Sequence, residues 1–337
     1  MSLSMRLGVN VNTRVPVIFP ESYDIDRLLD LAVRAEQLGY DSVWVGDNFF
    51  SKARLESITT LSAIAMRTRR VGLGTAALIA PLRHTVWLAL AWATLDRIAK
   101  GRTVLAVCVG GGNAESGGPG FVSEFDVARV PYQRRGRILE EQIQLLRDFW
   151  SPGPVRRNDA FHTLPELDLR PKPEREGGPP IWVSCNPQVF DLREPVVERM
   201  LRRVARLADG WMTCTATPAE YRILWERIQT HAGGLGRAPD ALTPAYQVTL
   251  NVGKDRARAR AEGLEYVNAY YTTGHRDLSE SMWRRDPFGT AEEVLEHLAA
   301  LKEAGVATFI FRFASRNQME QLERFTDSVL PGLRRVS

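Results

Sequence analysis

Cysteine is scarce: three residues in 337, Cys108, Cys185 and Cys214, with no CxxC spacing, so neither a disulfide framework nor a thiolate metal knuckle is expected. Each lies in or just after an apolar run, which reads as a reduced, buried thiol. The five histidines, His84, His162, His231, His275 and His297, form no HExxH or Cys/His cluster, so no built-in metal site is expected. Long apolar runs are missing too. No window approaches the roughly 18 uninterrupted apolar residues of a membrane span, and Met1 to Asn12 lack a basic-then-apolar signal. The expectation is a cytoplasmic protein that does not engage membranes. Lysine is sparse, with only Lys52, Lys100, Lys172, Lys254 and Lys302, and the arginines are scattered among acids on amphipathic segments instead of forming a stripe. That distribution argues against nucleic acid as a partner.

What the chain has is apolar content: 44% hydrophobic against 25% charged residues, enough to bury a large core. Short apolar runs alternate with helical patterns from end to end, the signature of repeated βα units. Eight runs read as strands: Leu7 to Asn12, Ser42 to Gly46, Val71 to Ile79, Thr103 to Val109, Ile181 to Cys185, Gly210 to Cys214, Ala245 to Val252 and Thr308 to Phe313. Between the first two, Leu28, Leu31, Ala32, Ala35 and Leu38 make one apolar helix face, and Gly39 supplies the stop. Thr217 with Glu220, and Thr290 with Glu293, have the spacing of capping boxes, the first behind a proline at the opening helical position. Eight strands each followed by a helix favour a closed (β/α)8 TIM barrel of the α/β class over an open sheet. The cluster Gly110-Gly111-Gly112 does not fit GxGxxG and follows the fourth strand, which argues against a Rossmann fold.

The chain is therefore expected to form a single barrel domain over residues 1–337 with loop insertions at about 111–132, 152–180 and 270–288. The second contains a candidate hairpin over Phe161 to Leu169. The first and third follow strands, which puts them on the active-site side as candidate lids.

In such a barrel, polar residues ending apolar strands are the candidate site residues. Asn10 and Asn12 share one face of the first strand, as ligand contacts or as a polar plug. Asp47 ends the second strand, as a catalytic group or as a turn or helix cap; Asn48 follows it. In the third, Thr75, Ala76 and Ala77 are small enough to let a planar ring approach the backbone. Arg83 and His84, just beyond, suit a ligand or an ion pair with a neighbouring acid. Gly110 and Gly111 offer backbone N–H groups, and Glu115 is the nearest carboxylate. Ser184 and Asn186 at the fifth strand's end suit a phosphate. Asp209 reads as an acid holding neighbouring backbone, and Trp211 as core. Arg312, inside an aromatic run, needs a carboxylate or an anionic ligand. No strand ends in lysine and no GxSxG occurs, so a Schiff-base or serine mechanism has no support. The reactivity is expected to come from a bound cofactor.

Leu38-Gly39-Tyr40-Asp41-Ser42-Val43-Trp44-Val45-Gly46-Asp47, Thr60-Leu61-Ser62-Ala63-Ile64-Ala65 and Leu73-Gly74-Thr75-Ala76-Ala77-Leu78 together resemble the N-terminal half of luciferase-like monooxygenases. Ala80-Pro81-Leu82-Arg83-His84 with Ala93-Thr94-Leu95-Asp96-Arg97 and Gly101-Arg102 is similar to that family's most recognisable block. Arg134 to Glu141, Pro179 to Val183 and Ala205 to Trp211 continue the match in order. The resemblance implies a barrel, often dimeric, that binds reduced FMN or the deazaflavin F420 with its ring against the third strand, where a non-proline cis peptide would map to Ala76-Ala77. It implies a phosphate site in later loops, for which Ser184, Asn186, Gly289 and Thr290 are the candidates. Two departures stand out. Many relatives have a proton-handling His where this chain has Asn48, which cannot titrate. Cys185-Asn186-Pro187 replaces a Gly-Gly-Ser loop, which implies a remodelled phosphate site. The expected function is a monooxygenase using reduced FMN and O2 on a small organic substrate, with a separate flavin reductase as partner and a homodimer as the assembly. The alternatives are F420-dependent hydride transfer and, from another class, a flavin-binding protein with little turnover.

Overall fold

The computed structural model describes residues 4–21, 24–111, 119–158, 163–187, 192–271 and 285–336. Eight parallel strands form the barrel: β1 (Arg6–Asn10), β2 (Ser42–Val45), β3 (Gly72–Thr75), β4 (Thr103–Cys108), β5 (Ile181–Ser184), β6 (Gly210–Cys214), β7 (Thr243–Val252) and β8 (Thr308–Phe313). Each pairs with the next, β8 pairs with β1 from Arg6↔Thr308 to Val9↔Phe311, and β7 bridges β6 and β8, so the sheet closes without a free edge. All eight expected strands are present, two with the expected ends and the others with ends that shift by one or two residues. The third breaks after Thr75 and resumes as Leu78–Ile79, on either side of a cis peptide between Ala76 and Ala77.

Side chains fill the barrel's interior. Trp44 and Trp182 stack with ring centroids 5.1 Å apart, and Met212 and Ile310 pack around them. Room for these indoles comes from Gly8 and Gly74, where an added Cβ would collide with Trp44. Outside, the helices lay their apolar faces on the strands to form the main core. Their starts follow the local chemistry. Asp24 caps Ile25–Gln37, Glu56 caps Ser57–Arg67, and both capping boxes form as expected: the Thr217 and Thr290 hydroxyls each accept the backbone N–H of the N3 glutamate, and each threonine donates its own backbone N–H to that glutamate's carboxylate. Gly39 takes φ +79° just past the first of these helices, the left-handed turn that stops it. Trp211 is core, stacked on Tyr221 at 4.9 Å. Asp209 accepts the Ile181 N–H at 2.8 Å and pairs with Arg147 at 2.8 Å, the expected structural role.

The insertions are more structured than their composition suggests. Residues 152–180 hold an antiparallel hairpin, Val155–Asn158 with Thr163–Leu167, before β5. Within 111–132, a helix over Pro119–Val127 carries buried Glu124 and Phe125, so this part is a packed element of the mouth instead of an open lid. Residues 272–284, most of the third insertion, lie outside the described residues; its flanks are the end of helix Arg256–Tyr271 and the short strand Phe288–Gly289. Among the described residues, no helix is long and apolar enough to cross a membrane, and no cluster of metal-ligating side chains occurs.

Candidate functional site

A cavity of about 250 Å³ opens at the C-terminal mouth of the barrel. Of the sequence candidates, Asp47, Asn48, Ala76, Ala77, Gly110, Gly111, Ser184, Asn186 and Arg312 line it. With Met212 to Cys214 and Gln247 also on the lining, seven strands, β2 to β8, contribute to one space. Val183, Leu139, Met200 and Met212 add apolar wall, so the cavity offers a water-poor floor with polar groups at its rim.

Asp47 sits at the junction of β2 and β3, its side chain 1% exposed. Oδ1 accepts from Ser57 Oγ at 2.9 Å and Arg83 Nη2 at 2.7 Å; Oδ2 accepts from the Ile79 N–H at 2.9 Å and Arg83 Nη1 at 2.7 Å. With each oxygen holding two donors, the carboxylate is committed to the scaffold. It also supplies Arg83 with the neighbouring acid expected for it.

Asn48 is also tied into its loop, donating to Ser51 Oγ at 3.1 Å and Glu124 Oε2 at 3.4 Å and accepting from Arg54 at 3.2 Å. Glu124 organises that loop: fully buried, its Oε1 accepts the backbone N–H groups of Phe49, Phe50 and Ser51 at 3.0, 2.7 and 2.7 Å. Sequence reasoning missed it. The signal was an acid between the apolar residues Phe121, Val122 and Phe125, because a charge buried among such neighbours requires a dedicated set of donors.

Opposite, Asn186 Oδ1 accepts from Thr213 Oγ1 at 2.8 Å and the Cys214 N–H at 2.9 Å. Its amide nitrogen has no acceptor among the described residues and belongs to a side chain that faces the cavity. Arg203 lines the same end, held by Glu140 at 3.0 Å. Ser184, Asn186 and Arg203 form a donor set suited to a phosphate. Cys108 lies on the wall between the two ends, its thiol directed at Ala77 O at 3.8 Å. Burial pushes the Cys108 thiol up to about 12 and the Cys185 thiol up to about 11, and raises Cys214 as well, so all three are protonated at neutral pH and none is a nucleophile.

Other candidates fall elsewhere. Thr75 is fully buried and donates to Ala106 O at 2.7 Å, so it serves the sheet and does not line the cavity. Asn10 is buried off the cavity, and Asn12 is a polar plug that accepts from the Arg14 N–H at 3.0 Å and donates to Tyr266 OH. Gly289 pairs with the end of β7, and Thr290 is consumed by its capping box, so the structure does not bring either to the cavity. The hydroxyl expected to hold phosphate there already caps a helix. His84 is exposed at the start of helix Thr85–Ile98. Gly112 and Glu115 lie outside the described residues.

The family model for luciferase-like monooxygenases matches residues 5–308. Among similar curated proteins, the F420-dependent glucose-6-phosphate dehydrogenase of Kineococcus radiotolerans is 31% identical, over 93% of this chain and 95% of that protein. The oxygenase component of the flavin-dependent trigonelline monooxygenase of Acinetobacter baylyi is 26% identical over 91% of this chain and 89% of that protein. Among solved structures, an F420-dependent secondary alcohol dehydrogenase in complex with an F420–acetone adduct superposes with a TM-score of 0.77 at 21% identity, covering 98% of this chain and 99% of the other. Closed barrel, converging strand ends and a match along nearly the whole chain agree: the protein belongs to the luciferase-like monooxygenase family.

Proposed function

We propose that the protein is an oxidoreductase that binds a reduced flavin or deazaflavin in the mouth cavity and acts there on a small organic molecule. The observation that carries this reading is the cavity itself. Small side chains at Ala76 and Ala77 form its β3 wall, an apolar floor lies below, and the donors of Ser184, Asn186 and Arg203 stand at one end. These residues fit a planar ring with a phosphate tail. Ala76 and Ala77 would flank the ring, and the Ser184 hydroxyl and Asn186 amide would hold the phosphate. When bound, reduced FMN would supply the two electrons with which O2 is cleaved, one oxygen atom passing to the substrate and the other leaving as water, whereas F420 would exchange a hydride with the substrate. The chain's own work is positioning and exclusion of water. Asp47 and Arg83 lock the ends of β2 and β3, and Val183, Leu139 and Met212 keep the floor dry. With Asn48 in place of a titratable group, no proton is handled at that position.

The monooxygenase reading with FMN and O2, served by a separate flavin reductase and built as a homodimer, is the leading form. Hydride transfer with F420 is the second, favoured by the 31% identity to a protein named as an F420-dependent dehydrogenase. Titration with FMN and with F420, followed by absorbance and fluorescence, separates them. FMN binding with O2-dependent substrate oxidation supports the first, and saturable F420 binding without O2 consumption the second. If neither cofactor binds, the proposal fails.

A further inference from the structure

Beside the cavity, the loops after β1 and β2, the strand β8 and the helix Arg256–Tyr271 bring four cations around two tyrosines. The Arg14, Arg54 and Arg312 guanidinium carbons lie 5.6, 5.7 and 4.8 Å from the centroid of the Tyr270 ring, and Lys52 Nζ lies 4.5 Å from that of Tyr271. Arg312, 7% exposed, reaches Thr249 Oγ1 through Nε at 3.0 Å and through Nη2 at 2.6 Å, and Tyr271 OH at 3.2 Å. Arg54 reaches Lys52 O, Asn48 Oδ1 and Tyr270 OH, each at 3.2 Å. Neither guanidinium has a carboxylate within ion-pair distance among the described residues, and the Nη1 of each has no hydrogen-bond partner there. Asp286, the buried acid of the group, spends Oδ1 on the Thr249 N–H at 3.0 Å.

Both arginines border the cavity. Arg312 lines it, and Arg54 bonds to the lining residue Asn48 and lies against Gly46, where a Cβ would overlap its guanidinium. Arg312 is buried and Arg54 partly so, and although the charge of Asp286 acts on Arg312, the hydrogen bonds of both guanidinium groups go to hydroxyls and carbonyls alone; such a cation is costly to keep unless an anion completes its partners. We propose that Arg54 and Arg312 form an anion subsite that receives a carboxylate or phosphate group of the substrate. This deepens the reading above by naming the substrate class, and it rests on that cavity being the active site.

Tyr270 reports on the subsite. Burial alone raises its phenol, but the charges of Arg54, Arg312 and Lys52 and the Arg54 hydrogen bond outweigh that and hold it well below the usual tyrosine range. Around it stand Arg14, Lys52, Arg54, Arg312, Tyr266, Tyr271 and Asp286. An anion seated on Arg54 and Arg312 cancels part of the charge that favours the phenolate, so the Tyr270 titration moves to higher pH when it binds.

The test uses benzoate and phenyl phosphate as probes, with neutral benzamide as control, on the full chain at low salt. Affinity is read by calorimetry and the phenolate band by ultraviolet difference spectra; Tyr270→Phe identifies the band. At least one anion is expected to bind while benzamide does not, and to shift the band to higher pH. The probe that binds tells carboxylate from phosphate. Arg312→Gln is expected to weaken binding about tenfold or more, the worth of one charge-assisted hydrogen bond. Arg54→Gln, in a surface loop, should do the same should Arg312→Gln not fold. Equal binding of benzoate and benzamide, or unchanged affinity in a folded variant, overturns the proposal. So does loss of cofactor binding in step with anion binding, because the anion would then be the cofactor's own phosphate. Failure of the wild type to bind FMN or F420 while anion binding persists sinks the cofactor reading instead.

Discussion

Replacing Asp47 by Asn removes one of two acceptor oxygens and puts an NH2 in its place. In the native arrangement each oxygen takes one Arg83 N–H at 2.7 Å and one local donor at 2.9 Å. Whichever way the amide is set, its nitrogen faces an Arg83 N–H and a second group. The amide will turn that nitrogen toward Ser57, whose hydroxyl can rotate to accept, since the Ile79 N–H is fixed. One charge-assisted bond is lost outright, and the remaining Arg83 bond loses its charge. At about 1.5–3 kcal/mol per hydrogen bond to a charged group, the expected destabilisation is about 3–5 kcal/mol, the range for breaking a buried pair by removing one member. Thermal unfolding of Asp47→Asn should show a midpoint lowered by roughly 5–10 °C. Arg83→Met should cost a similar amount, and the double variant much less than the sum, because both break one interaction. An unchanged melting temperature in Asp47→Asn combined with lost turnover would refute the reasoning and return the aspartate to the chemistry.

Ala77→Trp places an indole in the cavity wall and should abolish FMN or F420 binding while the circular dichroism spectrum stays native; retained affinity would contradict the placement of the ring. Cys185, buried and with its thiol held protonated by that burial, should react with iodoacetamide at neutral pH only as fast as the chain unfolds, checked by mass spectrometry with and without denaturant. His297 is largely buried, and burial lowers it from 6.5 to about 4. The unfolded chain therefore takes up a proton that the fold refuses, and stability present above pH 6.5 is lost as pH falls toward 4, by up to about 3 kcal/mol. Chemical denaturation at pH 7 and pH 4.5 should show His297→Gln losing less stability than the wild type across that interval; identical losses would exclude the histidine as the source.

Much of the barrel was legible in the chain. The eight strands, both capping boxes, the Gly39 stop and the role of Asp209 all rest on interactions within a few residues or on period-two and period-3.6 patterning, which sequence encodes directly. The candidate site was legible in part. Residues ending strands β2 to β5 were placed correctly at the mouth, because a strand's C-terminal end faces one side of any closed barrel. What those residues do there was not legible. Nothing local marks Asp47 as the partner of Arg83, 36 positions away, or Glu124 as the anchor of residues 49–51, more than 70 positions away.

The primary sequence by itself determined that this protein is a βα repeat with apolar strands and small residues on the third strand. Only the tertiary structure decided which polar residues reach the cavity and which are spent on the scaffold, drawing Thr75 into the sheet and Thr290 into a helix cap. It alone set Arg54 and Arg312 on one tyrosine ring. Long-range neighbours follow from closure of the sheet and the packing of loops over its end, and a charge in a loop carries no periodic signal that tells which other charge it will meet.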